Sequence, residues 1–286
     1  MKIFRHFTTL LLVVCASLSM NAQSKEKIKG NRNVTIKQTY LDDFSKLIVK
    51  NDFEIKLAYN SKPSVEIEAD DNLHDVIDVE VNSGTLTIST ARRITSKKKL
   101  EITVNFAEAL SDIQLQNSAE IRSLTSLELD TLQLNVENNA RAYLNVKSNL
   151  FKFSSSGRTK SRLNITSDST SFVMSDNSKL DALVNGKTST FDLYQSVDAS
   201  IEGDAEVTTL RLDNSSNFSG KNYTVKNADL LIESNSDATL NVEVYLNLKA
   251  SGSSETYIYG EPKINLEVFT NTAKLQKKDI NSRSLF

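Results

Sequence analysis

The segments FVMSDNS (172–178), FDLYQSV (191–197), LRLDNSS (210–216) and LLIESNS (230–236) are four copies of one short pattern. Each opens on two apolar residues separated by one other. Five residues after the first apolar position comes a Ser or Asn, and the residue after that is mostly small. Working outward, the pattern returns eight times between Ile113 and Gly260. The apolar pairs are Ile113/Leu115, Leu134/Val136, Phe151/Phe153, Phe172/Met174, Phe191/Leu193, Leu210/Leu212, Leu230/Ile232 and Leu246/Leu248. The polar column reads Ser118, Asn139, Ser156, Asn177, Ser196, Ser215, Asn235 and Ser251. Starts lie 21, 17, 21, 19, 19, 20 and 16 residues apart, a mean of 19, and a period of that length predicts a solenoid.

The physical reason is alternation. Side chains of a strand point to opposite faces in turn, so the two apolar residues of a pair face one way and the residue between them faces the other. The intervening residues are Gln114, Asn135, Lys152, Val173, Asp192, Arg211, Leu231 and Asn247, and six of these eight are polar. One wet face recurring every 19 residues predicts an all-β parallel β-helix, with coils about 4.8 Å apart around a shared core. Phe151, Phe172 and Phe191 are expected as successive aromatic rungs. Ser and Asn at the corners are expected to hold the turns by bonding nearby backbone.

Bulk composition agrees. Among 286 residues there are 2 Pro, 8 Gly and no Trp, and no stretch after the leader keeps a helical period. Residues 1–22 read as a signal peptide: Lys2 and Arg5, the apolar run Leu10 to Val14, then Met20-Asn21-Ala22. Cys15 lacks the small preceding residue of a lipoprotein signal, Val14 standing there, so no lipid anchor is expected. Once the leader is cleaved, no cysteine and no membrane-spanning segment remain. The net charge of −2 becomes −4 without the leader's two cations, which argues against nucleic acid as a partner. Residues 23–42 are expected as a polar N-terminal leader, 43–270 as a single β-helix domain and 271–286 as a polar C-terminal tail.

Between residues 43 and 115 the text alternates with period two, broken by turn signals such as Asn51-Asp52 and Ser83-Gly84. Residues 73–81 are expected to start with a short helical turn. The run Phe44, Leu47-Ile48-Val49, Phe53 to Leu57, Val65 to Asp71, Ser83 to Ile88, Ile102-Thr103-Val104, Leu110 and Ile113-Gln114-Leu115 resembles the GIN-domain family. That family is also described as putative auto-transporter adhesin head domains, exported proteins of Bacteroidetes. The resemblance spans roughly residues 43–270 and implies a right-handed β-helix. Many members carry a Gly-Ser-Gly turn where this chain has Asn117-Ser118-Ala119, so no role of those glycines carries over.

Six constellations have a chemical and a structural reading, and the structural one is expected each time. The Ser/Asn column is a corner ladder rather than a ligand ridge, and it lacks the Gly/Asp repeat of a calcium-binding β-helix. Arg92, Arg93, Lys97, Lys98 and Lys99 form a solvated loop guarding a strand edge, although they could hold an acidic glycan or lipid phosphate. His74, with no partner for zinc or for a Ser-His pair, is a surface residue. Glu66, Glu68, Asp70, Asp71 and Asp75 form a polar edge and turn rather than a cation site. Tyr245, Tyr257 and Tyr259 cover the end of the core. Asp213 and Glu233 stand on adjacent outward rungs, about 5 Å apart as in retaining glycosidases, with Lys249 completing an ordinary charge ladder.

The chain therefore reads as an exported, non-enzymatic protein of the cell envelope, in the periplasm, on the outer-membrane surface or outside the cell. It needs no cofactor or metal, and an envelope glycan or surface protein is its expected partner. A polysaccharide hydrolase or lyase on a β-helix scaffold is the alternative.

Overall fold

The structure is a computed structural model describing residues 26–107 and 109–279. The leader reading, Cys15 included, falls outside them. The chain is nearly all β, a solenoid of about nine turns spaced about 19 residues. From Arg141 onward nearly every coil is one long, bent strand: Arg141–Gly157, Lys160–Met174, Lys179–Tyr194, Asp198–Asp213, Asn217–Ile232 and Asp237–Ala250. Each pairs in parallel with the next. Ladder bonds then link neighbouring coils, so the backbone is satisfied along the whole stack.

The register is more even than the sequence pattern implied. Ile113 lies beside Leu134, and the column continues through Phe153, Phe172, Phe191, Leu210, Leu230 and Leu248. Two of the expected pairs were therefore two residues early. The equivalent positions are Phe153/Ser155 and Leu248/Ala250, while Phe151 belongs to the column of Thr170, Ser189, Thr208, Ala228 and Leu246. The slip has a simple cause: Phe151 and Phe153 are both buried on the same phase, and alternation alone cannot tell one inward position from the next. The aromatic stack is Phe153, Phe172 and Phe191, with Phe172 and Phe191 lying flat on each other at 4.7 Å. Phe151 touches Phe172 obliquely at 5.9 Å.

The corner column shifts as well. Backbone angles are left-handed at Asn117, Asn138, Gly157, Asp176, Gln195, Asn214, Ser234, Gly252 and Asn271, one equivalent position in each coil, and at Ser215 beside Asn214 as well. Gly157 is needed there twice over, since a Cβ on it would lie 2.6 Å from the Asn138 carbonyl oxygen. Side chains of this column accept the backbone N–H of the coil before. Asn51 N–H donates to Asn117 Oδ1 (3.2 Å), Asn117 N–H to Asn138 Oδ1 (3.1 Å), Gly157 N–H to Asp176 Oδ2 (2.9 Å) and Asp176 N–H to Gln195 Oε1 (3.0 Å). The expected corner residue Asn177 sits one place further on and points to solvent. Behind it, the buried Ser178 hydroxyl donates to the Ser175 carbonyl at 2.7 Å. Asp176→Ala should therefore cost about 1–2 kcal/mol, while Asn177→Ala should leave the thermal melt unchanged. Equal melts for the pair would refute this corner assignment.

The N-terminal region does not wind in chain order. The strand Thr85–Ser89 lies outside Lys46–Val49, which in turn pairs with Asp112–Leu115. The later passage is thus laid on the far side of the earlier one. The strand Ser64–Asp70 runs antiparallel to both Val34–Tyr40 and Leu100–Phe106. Asp78–Asn82 turns back on Thr85–Ser89 through Ser83-Gly84, both with positive φ as a tight hairpin demands. The expected helical turn is the 3-10 segment Asp71–Val76. Segment 23–42, expected as a loose leader, holds the strands Lys27–Lys29 and Val34–Tyr40, and the tail holds Lys274–Lys277. Polar composition is compatible with these strands, because a strand needs only backbone partners to be placed.

Asp70 fastens this region. It is fully buried, and its carboxylate accepts the backbone N–H of Arg32 (3.0 Å), Lys98 (3.1 Å) and Lys99 (3.1 Å). Burial pushes its pKa up, but the three amide bonds outweigh that and hold the group below the usual carboxylate range. A lowered folded pKa stabilises the fold above the unfolded value, about pH 4. That stabilisation is lost as pH falls through the lower folded value. Asp70→Ala should thus melt earlier than the parent at pH 7, and the gap should narrow as the pH falls below the unfolded value. A gap that persisted in acid would show that the ionised carboxylate is not the fastener.

Candidate functional site

A groove of about 660 Å³ lies on the outer surface of the long strands. It forms where these strands bend, between two outward columns. One column runs Arg122, Tyr143, Arg162, Asp181 and Ser200; the other contains Asn145, Asn164, Leu183 and Glu202. Inward residues between them, such as Leu144 and Leu163, are buried and fix the wall. Five coils contribute, so the groove extends roughly 20 Å along the axis.

Its charges are largely balanced. The Arg122 guanidinium lies 4.3 Å over the Tyr143 ring and bonds Glu120 Oε1 through Nε at 2.8 Å. Arg162 pairs with Asp181 at 3.7 Å, and Glu202 accepts from Asn222 Nδ2 at 3.3 Å. What the groove presents beside these charges is amide, hydroxyl and aromatic edge, from Asn145, Asn164, Ser200 and Tyr143, with the exposed side chain of Leu183 among them. Such a surface suits a hydroxyl-rich, extended ligand. Sequence reasoning missed it because only one face of the coil was indexed. The signal was available at the same period, since Arg122, Tyr143, Arg162, Asp181 and Ser200 are 21, 19, 19 and 19 residues apart.

A second cavity, of about 450 Å³, lies near the N-terminal end and has Phe53, Ile94 and Leu100 in its lining. Lys27, Arg92, Arg93 and Lys97 surround it, so the basic loop does gather partly around a recess. Several of the loop's groups also serve the fold. Lys99 pairs with Glu101 (2.7 Å) and Glu68 (3.3 Å), Arg92 pairs with Glu26 at 3.3 Å, and the Lys98 amide is spent on Asp70.

The remaining sequence candidates disperse. Asp213 and Glu233 do occupy equal positions on adjacent coils, following the paired Leu212 and Ile232. The Asp213 carboxylate is engaged at the corner, however, accepting from Ser234 Oγ (2.7 Å) and the Asn214 amide (2.7 Å). Lys249 is not on that rung: it lies beside Leu231 and pairs with Glu267 at 2.9 Å. The two-residue slip in the eighth pair produced the apparent triad. His74 is half-buried rather than a surface residue, its Nε2 lying 3.0 Å from Thr35 Oγ1. The acidic cluster is divided, with Asp70 in its amide nest and Asp71 bonded to Thr35 Oγ1 at 3.2 Å. Among the described residues no three His, Cys, Asp or Glu side chains gather as a metal would require. Tyr257 bonds Glu255, and Tyr259 lies 5.2 Å from Lys221 Nζ. These tyrosines flank the last coils and do not cover the end of the core, where Leu266 and Phe269 stay exposed. No helix among the described residues is long and apolar enough to cross a membrane.

The sequence matches the family model "Putative auto-transporter adhesin, head GIN domain" over residues 43–183 and 149–262. No curated protein matches it. Among solved structures, a putative adhesin from Parabacteroides distasonis ATCC 8503 aligns with a TM-score of 0.66 at 16% identity, covering 88% of this chain and 100% of that one. A putative adhesin from Parabacteroides merdae ATCC 43184 gives 0.62 at 18%, covering 89% and 99%. A putative lipid binding protein from P. distasonis gives 0.56 at 16%, covering 88% and 97%. At these identities the likeness concerns the fold.

Proposed function

Since the chain belongs to the family described as putative auto-transporter adhesin, head GIN domain, we propose that it is an exported, non-enzymatic cell-envelope protein that binds an extended glycan. The observation carrying this reading is the groove over Tyr143, Asn145, Arg162 and Asn164. The amides of Asn145 and Asn164 and the hydroxyl of Ser200 can serve successive sugar hydroxyls, and the Tyr143 ring supplies an edge for a sugar face. Export is supported by the leader of residues 1–22. The neighbours named as adhesins are compatible with surface attachment, and the one named as lipid binding points to a different ligand class.

The groove lacks the enclosure that makes electrostatic catalysis effective, and its Asp181 is tied to Arg162. Purified mature protein applied to a glycan array should retain a subset of linear polysaccharides. Tyr143→Ala combined with Asn164→Ala should weaken that binding about tenfold or more, roughly 1.4 kcal/mol at the least, with an unchanged melt. Unchanged retention would place the ligand elsewhere. Release of reducing ends that stops in Asp181→Asn or Glu202→Gln would establish the hydrolase alternative instead.

A further inference from the structure

The two ends of the solenoid are finished differently. At the N-terminal end, antiparallel strands and the 3-10 turn close over Phe44, Leu73 and Ile77, all of them buried. At the other end the strand Lys263–Phe269 pairs along one edge with the coil before it, and among the described residues nothing pairs with its other edge. All seven of its residues are exposed. Ile264, Leu266, Val268 and Phe269 are 40–49% exposed. Ile264 and Leu266 stand directly on Leu246 and Leu248, which are fully buried. They form one more rung of the core with no rung above it. A recess of about 450 Å³ beside them is lined by Ile258, Pro262, Ile264 and Leu275. A free strand edge joined to an apolar face is a surface that folded proteins ordinarily protect.

We propose that this end is the contact face of a symmetric dimer, in which a second copy lays its own Lys263–Phe269 antiparallel against the first. The sequence of the strand fits itself in that direction. Pairing centred on Asn265 sets Lys263 opposite Glu267 of the other copy, and Ile264 opposite Leu266. Opposed residues in an antiparallel pair share a face. The apolar pairs therefore extend the two cores into one, and on the outer surface each Glu267, already held by Lys249 of its own copy at 2.9 Å, gains Lys263 of the other. Asn265 donates to Asn247 Oδ1 at 2.9 Å, which leaves its own carbonyl oxygen for its counterpart across the axis. A register shift at Glu267 ends the regular run, so the short segment around Asn265 sets the register. The closed N-terminal end excludes head-to-tail stacking. Like-to-like contact then closes after two copies and cannot grow into a filament. This inference does not rest on the glycan reading.

Sedimentation velocity and light scattering on the mature chain should give twice the monomer mass. Leu266→Lys, at an exposed site, should give the monomer mass with an unchanged circular dichroism spectrum. Lys263→Glu sets like charges opposite one another across the axis and should raise the dimer dissociation constant about tenfold. A parent chain that stays monomeric at high micromolar concentration overturns the proposal, as does a dimer indifferent to Leu266→Lys. So does a monomer that dimerises only after deletion of residues 280–286, because the chain's own terminus would then be the natural occupant of the edge.

Discussion

Leu193→Asp should leave the purified chain unfolded, whereas Asp192→Ala beside it should melt with the parent. Leu193 has no solvent exposure and lies between Met174 and Leu212 on the coils to either side. A carboxylate there has no cation or amide donor to meet it, and a buried unpaired charge costs several kcal/mol even after relaxation. Folded domains hold only about 5–15 kcal/mol in all. Loss of one central coil also removes the surface on which the next coils pack, so the damage spreads in both directions. Asp192 is half-exposed, and no neighbour depends on it. Circular dichroism melts decide the matter, and similar melting temperatures for the two variants would overturn the inward and outward assignment of the whole repeat.

Phe191→Ala should be the most damaging simple truncation, costing about 3–5 kcal/mol. Phe191 stacks on Phe172 at 4.7 Å and meets Phe218 at 5.2 Å and Tyr223 at 6.1 Å. All four rings are buried. Their contacts come from the coil before and from the strand Asn217–Ile232 two coils on, so the cavity cannot be filled by a shift of one side chain. Tyr223 adds a polar constraint. Its hydroxyl lies 3.2 Å from Thr208 Oγ1 in a buried lane that also holds Thr170 and Ser189, bonded at 2.8 Å. Burial raises the Tyr223 pKa, which keeps the hydroxyl neutral and able to donate at any ordinary pH. The ring is therefore held at both its edge and its tip. A loss of that size corresponds to a fall in melting temperature on the order of 10 °C for a domain this large. A fall of only one or two degrees would mean that the aromatic column relaxes freely.

Much of this architecture was legible in the sequence because its signal is periodic and local. Alternation sets which side chains face the core, and a 19-residue recurrence says that the same face returns. These two facts determined the all-β solenoid, its coil length and the inward positions of Leu193, Phe172 and Phe191. The sequence also held the polar punctuation that marks each corner. What it lacked was phase beyond one strand. Positions i and i+2 are both inward, so Phe151 and Phe153 could exchange places in the pattern without violating alternation. The same ambiguity at Leu246 and Leu248 placed Lys249 on a rung it does not share.

Only the tertiary structure decided questions that depend on which coil lies against which. It moved the corner column by one residue, earlier in six coils and later at Gly157 and Gly252, since left-handed φ and the amide ladder from Asn117 to Gln195 become visible only when coils are stacked. It showed that Thr85–Ser89 is laid outside Lys46–Val49, an order that chain succession does not imply. It drew Asp70 out of an apparent surface cluster and into a nest of amides from two distant segments. It also brought Arg122, Tyr143, Asn145, Arg162 and Asn164 into one groove. The reason is common to all four: alternation and turn chemistry act between residues adjacent in sequence. Pairing register, by contrast, is a property of contacts between residues about 19 positions apart or more, and it exists only once the coils have closed.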